Sequence, residues 1–226
     1  MTLFPGMFDN FMTESLMGKA IKNKIIDIKI FNIRDYTKKN SKSVDDEVYG
    51  GGNGMLMMAQ PIYDCYKAIN NFDKNVNTYY LSPKGKLFDQ RTAIEMSKEE
   101  EINFLCGHYE GIDERVLTLI NAKEISIGDY ILTGGELPCM VVIDSISRFI
   151  KGVLSNEDST KEETFSNNLI EYPQFTRPVE YEGLKVPEVL LCGDHKKVAE
   201  WRLNKSIELT KKNRPDLYEK YLKNNS

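Results

Sequence analysis

Histidine is nearly absent from this chain of 226 residues: His108 and His195 are the only two, too few to build the His-based ligand spacing of a zinc site. No metal centre is expected. Cysteine is also scarce, and Cys65, Cys106, Cys139 and Cys192 form no CxxC pair but sit in apolar runs, where a thiol behaves as a small hydrophobe. That usage excludes a disulfide framework and points to the reducing cytoplasm. No apolar run approaches the roughly 18 residues of a membrane span, and the amino terminus lacks a charged-then-apolar export signal. A soluble, cytoplasmic protein is therefore expected, with no membrane partner.

What is present is enough for a packed fold. With 41% hydrophobic and 28% charged residues, the chain can fill one or two domains, and disorder of the whole is excluded. The net charge of −4 argues against nucleic acid, yet its distribution is uneven. From Gly183 onward 10 Lys and Arg face 6 Asp and Glu, against 20 and 28 before it. A basic tail on an acidic body suits a phosphate-bearing partner, while an ordinary solvated helix surface explains the same charges.

Hydrophobic periodicity predicts strands alternating with helices, hence an α/β fold with a mostly parallel sheet. Spacing of Phe8, Phe11, Met12, Leu16 and Ala20 predicts a helix, and Ile26–Ile30 alternates like a half-buried strand. A polar loop follows from Arg34 to Glu47, then a helix from Pro61 and a strand over Thr78–Pro83. Further helices are predicted over Asp89–Ser97, Ile112–Asn121 and Leu137–Ile150, with strands at Ile102–Cys106 and Ile125–Leu132. The polar run Ser155–Thr164 reads as an interdomain linker. Beyond it, Asp194 is placed to cap a helix, and Arg214-Pro215 breaks it before another. Residues 1–154, 155–168 and 169–226 are the expected domain, linker and small helical domain.

Two strand ends carry glycine loops, Cys106-Gly107-His108-Tyr109-Glu110-Gly111 and Ser126 to Pro138, and these are expected to meet at one small-molecule site. The third glycine-rich stretch, Gly50 to Gly54, lacks the Gly-Lys-Ser/Thr of a phosphate loop and does not follow a strand as a dinucleotide fingerprint must. An oxidoreductase reading loses support on that ground. Asp113 and Glu114 suit a helix start. Arg148 either snorkels to the surface or balances an anion in the cleft, and Glu162 and Glu163 read as solvated charge.

Five stretches in order, Tyr49 to Met55, Gly107 to Arg115, Ser126 to Pro138, Asp144 to Phe149 and Thr176-Arg177-Pro178, resemble the bacterial tRNA (guanine-N(1)-)-methyltransferases. The resemblance covers almost the whole chain. It implies a SPOUT fold, with a deep trefoil knot in the sheet domain, and a homodimer whose active sites are shared between subunits. It implies methylation of N1 of the guanosine immediately 3′ of the anticodon, position 37, with S-adenosylmethionine as methyl donor and magnesium as a candidate requirement.

By position, the cofactor residues implied are Tyr80, Leu81, Ser82, Pro83, Gly107, Tyr109, Glu110, Ser126, Ile127, Gly128, Asp129, Tyr130, Ile131, Leu132, Gly134, Gly135 and Pro138. Asp45, Asp46, Gly52, Asn53, Gly54 and His108 are implied around the flipped-out guanine, and Lys196, Arg202 and Lys205 along the tRNA backbone. Glu163 takes the place of the family's aspartate base, with Arg148 as the catalytic arginine. The added methylene of Glu163 leaves a non-catalytic tRNA-binding SPOUT protein as the alternative. Relative to the family, the chain also starts several residues late, so the first strand is expected to be nearly absent, and a misassigned start is the favoured explanation.

Overall fold

The computed structural model describes residues 1–52, 54–70, 76–155, 164–165 and 167–224. They group into two compact units, Met1–Ser155 and Asn156–Ser226. The first contains helices α1 (Asp9–Thr13) and α2 (Ser15–Lys22), strands β1 (Asp45–Glu47) and β2 (Met55–Met57), and helix α3 (Ala59–Ile69). It continues with β3 (Asn77–Leu87), α4 (Gln90–Met96), β4 (Ile102–Cys106), α5 (Glu114–Leu119), β5 (Lys123–Ser126) and α6 (Glu136–Ser147). The second contains β6 (Glu180–Tyr181), β7 (Leu184–Lys185), α7 (His195–Asn213) and α8 (Pro215–Asn224).

The centre of the first unit is a parallel sheet in the order β4-β3-β5. Side chains alternate across it, as the two-residue period of a strand requires. Tyr80 and Leu105 enter a core with Ile62, Cys65, Val116 and Ile120 from α3, α5 and the turn behind it, while Tyr79, Leu81 and Cys106 enter one with Ala93, Cys139 and Val142 from α4 and α6. Helices thus cover both faces, the arrangement that lets a parallel sheet bury its apolar residues. The expected α/β class with helices flanking a parallel sheet holds.

Several boundaries depart from the sequence reading. Asp45–Glu47 is not loop but pairs antiparallel with β2, making a hairpin whose tip is the glycine-rich stretch. The helix expected around Phe8 to Ala20 is broken at Glu14 and Ser15, where the backbone turns extended and then left-handed. β3 does not stop at Pro83 but runs to Leu87 through a register shift between Leu81 and Lys86, the kind of irregularity that accommodates a proline. β5 ends at Ser126, so Ile127–Leu132 is not strand, there being no ladder partner for it among the described residues.

Ile26–Ile30 also fails to form a strand. The segment just after it meets the stub Met1–Thr2, where the Thr2 N–H donates to Phe31 O at 3.0 Å and Thr2 O accepts from the Ile33 N–H at 2.9 Å. On the stub's other side, the Met1 ammonium donates to Phe104 O at 2.9 Å and Met1 O accepts from the Cys106 N–H at 3.0 Å. Two residues therefore wedge between two strand-like segments. Upstream of the wedge a cavity of about 660 Å³ separates residues 24–31 from residues 101–104, and Ile26–Ile30 has no ladder to join. Of the cysteines, Cys65, Cys106 and Cys139 are buried as expected, and Cys192 is exposed.

In the second unit Asp194 caps α7 by accepting from the Lys196 and Lys197 N–H groups, at 3.0 and 3.2 Å. Pro215 opens α8, where its missing donor costs nothing. Among the described residues no helix is long and apolar enough to cross a membrane, and no group of three His, Cys, Asp or Glu could hold a metal.

Candidate active site

Parallel strands direct their carboxy ends to one edge of the sheet, where loops collect and ligands bind. Here β4 ends in Gly107–Gly111, and Thr133–Gly135 leads into α6. The two loops meet through main chain: the Gly135 N–H donates to Gly107 O at 2.8 Å. A Cβ on Gly135 would stand 2.8 Å from Cys106 Cα and from Gly107 N, and one on Gly107 would stand 2.8 Å from the Tyr80 ring. No side chain fits at either place, so only glycine permits this approach. The Tyr80 ring closes the floor, and burial, reinforced by Glu124 and Glu114, pushes its phenol up to about 12. It stays neutral.

Leu81 and Ser82 continue the floor as buried residues, whereas Pro83 is exposed. Ser126, at the end of β5, folds the next loop back on itself: its hydroxyl donates to Gly128 O at 3.0 Å and accepts the Gly128 N–H at 3.2 Å. Asp129, Tyr130, Ile131 and Leu132 follow as an exposed lip, with Ile131 80% exposed. Pro138 lies in the first turn of α6.

The hairpin is tied to the same edge. Met55 O accepts from the Glu110 N–H, and the Met57 N–H donates to Gly111 O, both at 3.0 Å. A Cβ on Gly54 would meet Glu110 Cγ at 2.5 Å. The structure thus brings Gly54, implied at the guanine, against Glu110, implied at the cofactor. Gly52 is open at the hairpin tip. Asp45 accepts from the Ser43 hydroxyl at 3.2 Å, and the exposed Asp46 from Lys39 Nζ at 2.9 Å; the lysine holds the Asp46 carboxyl below its usual range.

Arg148 lies apart from these. It is the C-cap of α6, a favourable place for a cation, and at about 1.5 Å rise per residue the twelve residues of α6 put it roughly 18 Å from the Gly135 end. Asn53 and Glu163 lie outside the described residues. In the second unit Arg202 stacks over Tyr172, 4.7 Å from the ring centroid, Lys205 is paired with Glu208, and Lys196 is exposed. The sequence reading passed over Glu136, whose carboxylate is buried behind Gly134; its one visible signal was a charge between a glycine pair and an apolar run.

Comparison with known proteins gives this geometry a family. The family described as tRNA (Guanine-1)-methyltransferase TrmD matches residues 1–220. A tRNA (guanine-N(1)-)-methyltransferase of Clostridioides difficile (strain 630) is 56% identical over 223 residues, covering 97% of this chain and 96% of the relative. One from Ruminiclostridium cellulolyticum is 53% identical, covering 97% and 95%, and one from Lachnospira eligens is 52% identical, covering 100% and 96%. Interlocked glycine loops at the sheet edge and a match over nearly the full length agree: the chain belongs to the tRNA (guanine-1)-methyltransferase family, TrmD.

Proposed function

We propose that the protein methylates N1 of the guanosine immediately 3′ of the anticodon, position 37, in tRNA, with S-adenosylmethionine as donor. The observation that carries this reading is the Gly107–Gly135 contact, a ligand rim of bare main chain with no room for a Cβ, in a chain of this family. Such a rim fits the donor: it offers peptide groups for an adenine edge and brings the backbone close on several sides. Tyr80, Leu81, Ser82, Pro83, Gly107, Tyr109, Glu110, Ser126 to Leu132, Gly134, Gly135 and Pro138 would hold it.

When bound, S-adenosylmethionine supplies an electrophilic sulfonium methyl. N1 of guanine carries a proton at neutral pH, so its attack needs a base. Glu163 takes that proton, and the Arg148 guanidinium stabilises the negative charge that gathers on O6. The hairpin, with Asp45, Asp46, Gly52, Asn53 and Gly54, closes over a flipped-out base. Lys196, Arg202 and Lys205 of the helical domain hold the tRNA backbone.

The fold that accompanies this reading is the SPOUT trefoil knot, supported by the backbone contact between the loops preceding α5 and α6. A homodimer with shared sites is supported by the apolar residues left uncovered on the lip and α6, Ile131, Leu137 and Val141, which are 80%, 50% and 49% exposed. Sharing also relieves the separation of Arg148 from the glycine loops. The domain limits are 1–154, 155–168 and 169–226, and the compartment is the cytoplasm.

The test is transfer of labelled methyl from S-adenosylmethionine to a tRNA with guanosine next to the anticodon, with and without magnesium, followed by mapping of the product. Methyl at N1 of that guanosine is the expected result. Tight binding of both ligands without transfer would replace the enzyme with the non-catalytic tRNA-binding reading. Glu163→Ala should abolish turnover while leaving donor affinity within severalfold; a near-normal rate would remove Glu163 from the role of base.

A further inference from the structure

Glu136 opens α6 with its side chain in the core, only 2% exposed, where an ionised carboxylate is rarely found without partners. One oxygen has a partner: Oε1 accepts the Thr2 hydroxyl at 2.7 Å, and that hydroxyl in turn accepts the Phe4 N–H at 2.9 Å. The other oxygen lies on the side of His108. A Cβ built on Gly134 would stand 2.6 Å from Glu136 Oε2 and 2.9 Å from His108 Nδ1, so both atoms border the space that Gly134 leaves empty. His108 Nδ1 is buried and has no hydrogen-bond partner, and of the two ring nitrogens it alone is in that state. The imidazole is also held edge-on by Phe4 and Tyr109, with ring centroids 4.8 and 5.0 Å away.

Buried polar atoms without partners are rare, and each calls for an account. A carboxylate can only accept, so for Glu136 to serve as the missing partner of Nδ1 the imidazole proton must sit on Nδ1. Nε2 is then left as a bare acceptor. Absence of a side chain at Gly134 is what leaves room for the two groups to approach.

We propose that Glu136 is a positioning residue that holds His108 in the Nδ1–H tautomer, so that Nε2 offers an acceptor to an N–H donor of the guanine. The use made of Nε2 rests on the methyl-transfer reading above; the tautomer does not. Glu136 never touches substrate. It acts through His108, and Thr2 keeps its carboxylate turned the right way.

Nitrogen NMR on protein labelled at histidine tests this directly, because His108 and the exposed His195 are the only two signals and His195 serves as an internal reference. With both imidazoles neutral, His108 should show a protonated Nδ1 and a bare Nε2. In Glu136→Gln the amide oxygen still receives the Thr2 hydroxyl, which turns the NH2 toward His108 and demands a bare Nδ1. The tautomer should therefore flip, and KM for tRNA should rise about tenfold, the loss of one hydrogen bond to the guanine, with kcat reduced less. An Nε2–H tautomer in the unsubstituted protein overturns the proposal even if the variant does not fold, and so does an unchanged tautomer in a folded Glu136→Gln. If no tRNA is methylated, the functional reading fails while the spectrum still decides the pair.

Discussion

Gly135 and Gly51 are glycines for different reasons. A Cβ on Gly135 would be driven into the main chain of Cys106 and Gly107, whereas one on Gly51 meets nothing within 4 Å; what singles out Gly51 is a backbone φ of +81°. One glycine makes room and the other makes a turn. Between them stands Gly54, with φ at +90° and the flexible Glu110 side chain at 2.5 Å from its would-be Cβ. The first kind of glycine couples two loops and hence builds a ligand rim, while the second shapes a surface tip that can bend.

If that distinction is right, Gly135→Ala is the most damaging change. Neither neighbour can yield, because both are backbone, and overpacking of this kind costs about 2 kcal/mol. Binding of S-adenosylmethionine should weaken roughly thirtyfold by calorimetry. Full retention of affinity would show that the two loops need not touch. Gly54→Ala should do less, since the obstructing atoms belong to a side chain that can swing away. A donor affinity reduced about threefold and a KM for tRNA raised about fivefold correspond to roughly 1 kcal/mol each at most, read from binding and steady-state rates.

Asp64 provides the reference for pure stability. Its carboxylate on α3 accepts from Lys67 Nζ at 2.8 Å and Gln60 Nε2 at 2.7 Å, with Lys38 Nζ at 3.3 Å, and these partners bring its pKa down to about 2. A depressed folded value stabilises the fold fully above the unfolded carboxylate range, near 4, and that contribution disappears as pH falls from about 4 to about 2. With the side chain 21% exposed, screening leaves a gain on the order of 1 kcal/mol. Asp64→Asn should lower the melting temperature by about 3 °C at pH 7. The gap should close near pH 2, and donor affinity should stay unchanged. A loss of donor affinity in this variant would mean that Gly135→Ala also acts through general destabilisation.

Elements that depend on neighbours close in sequence were legible in advance. Asp194 capping α7, the helices α3 and α4, and strand β4 follow from local periodicity and capping. Apart from the local break at Glu14 and Ser15, the main misses are long-range. Asp45–Glu47 shows no apolar alternation and becomes strand only because Met55–Met57 lies beside it. Ile26–Ile30 has perfect alternation and remains irregular because no strand lies beside it among the described residues. In the site, paired glycines at strand ends announced the rim, but the Thr2–Glu136 contact joins residues 134 apart and left no mark in either segment. Glu163, in a run that reads as solvated charge, enters the proposed site by resemblance alone.

Gly51→Ala should have the smallest effect and is the sharpest check on the comparison. A left-handed backbone costs an alanine roughly 1–2 kcal/mol if the tip stays as it is. At an exposed hairpin tip with nothing packed on it, the backbone can relax, so about 1 kcal/mol or less should register as a melting shift of under about 3 °C. Donor binding should be unaffected, and KM for tRNA should change no more than about threefold. Gly51→Asn, which tolerates positive φ better than alanine, should recover part of even that loss. An Ala variant that lost donor affinity as strongly as Gly135→Ala would dissolve the distinction, because it would require the tip to hold its shape against the same site.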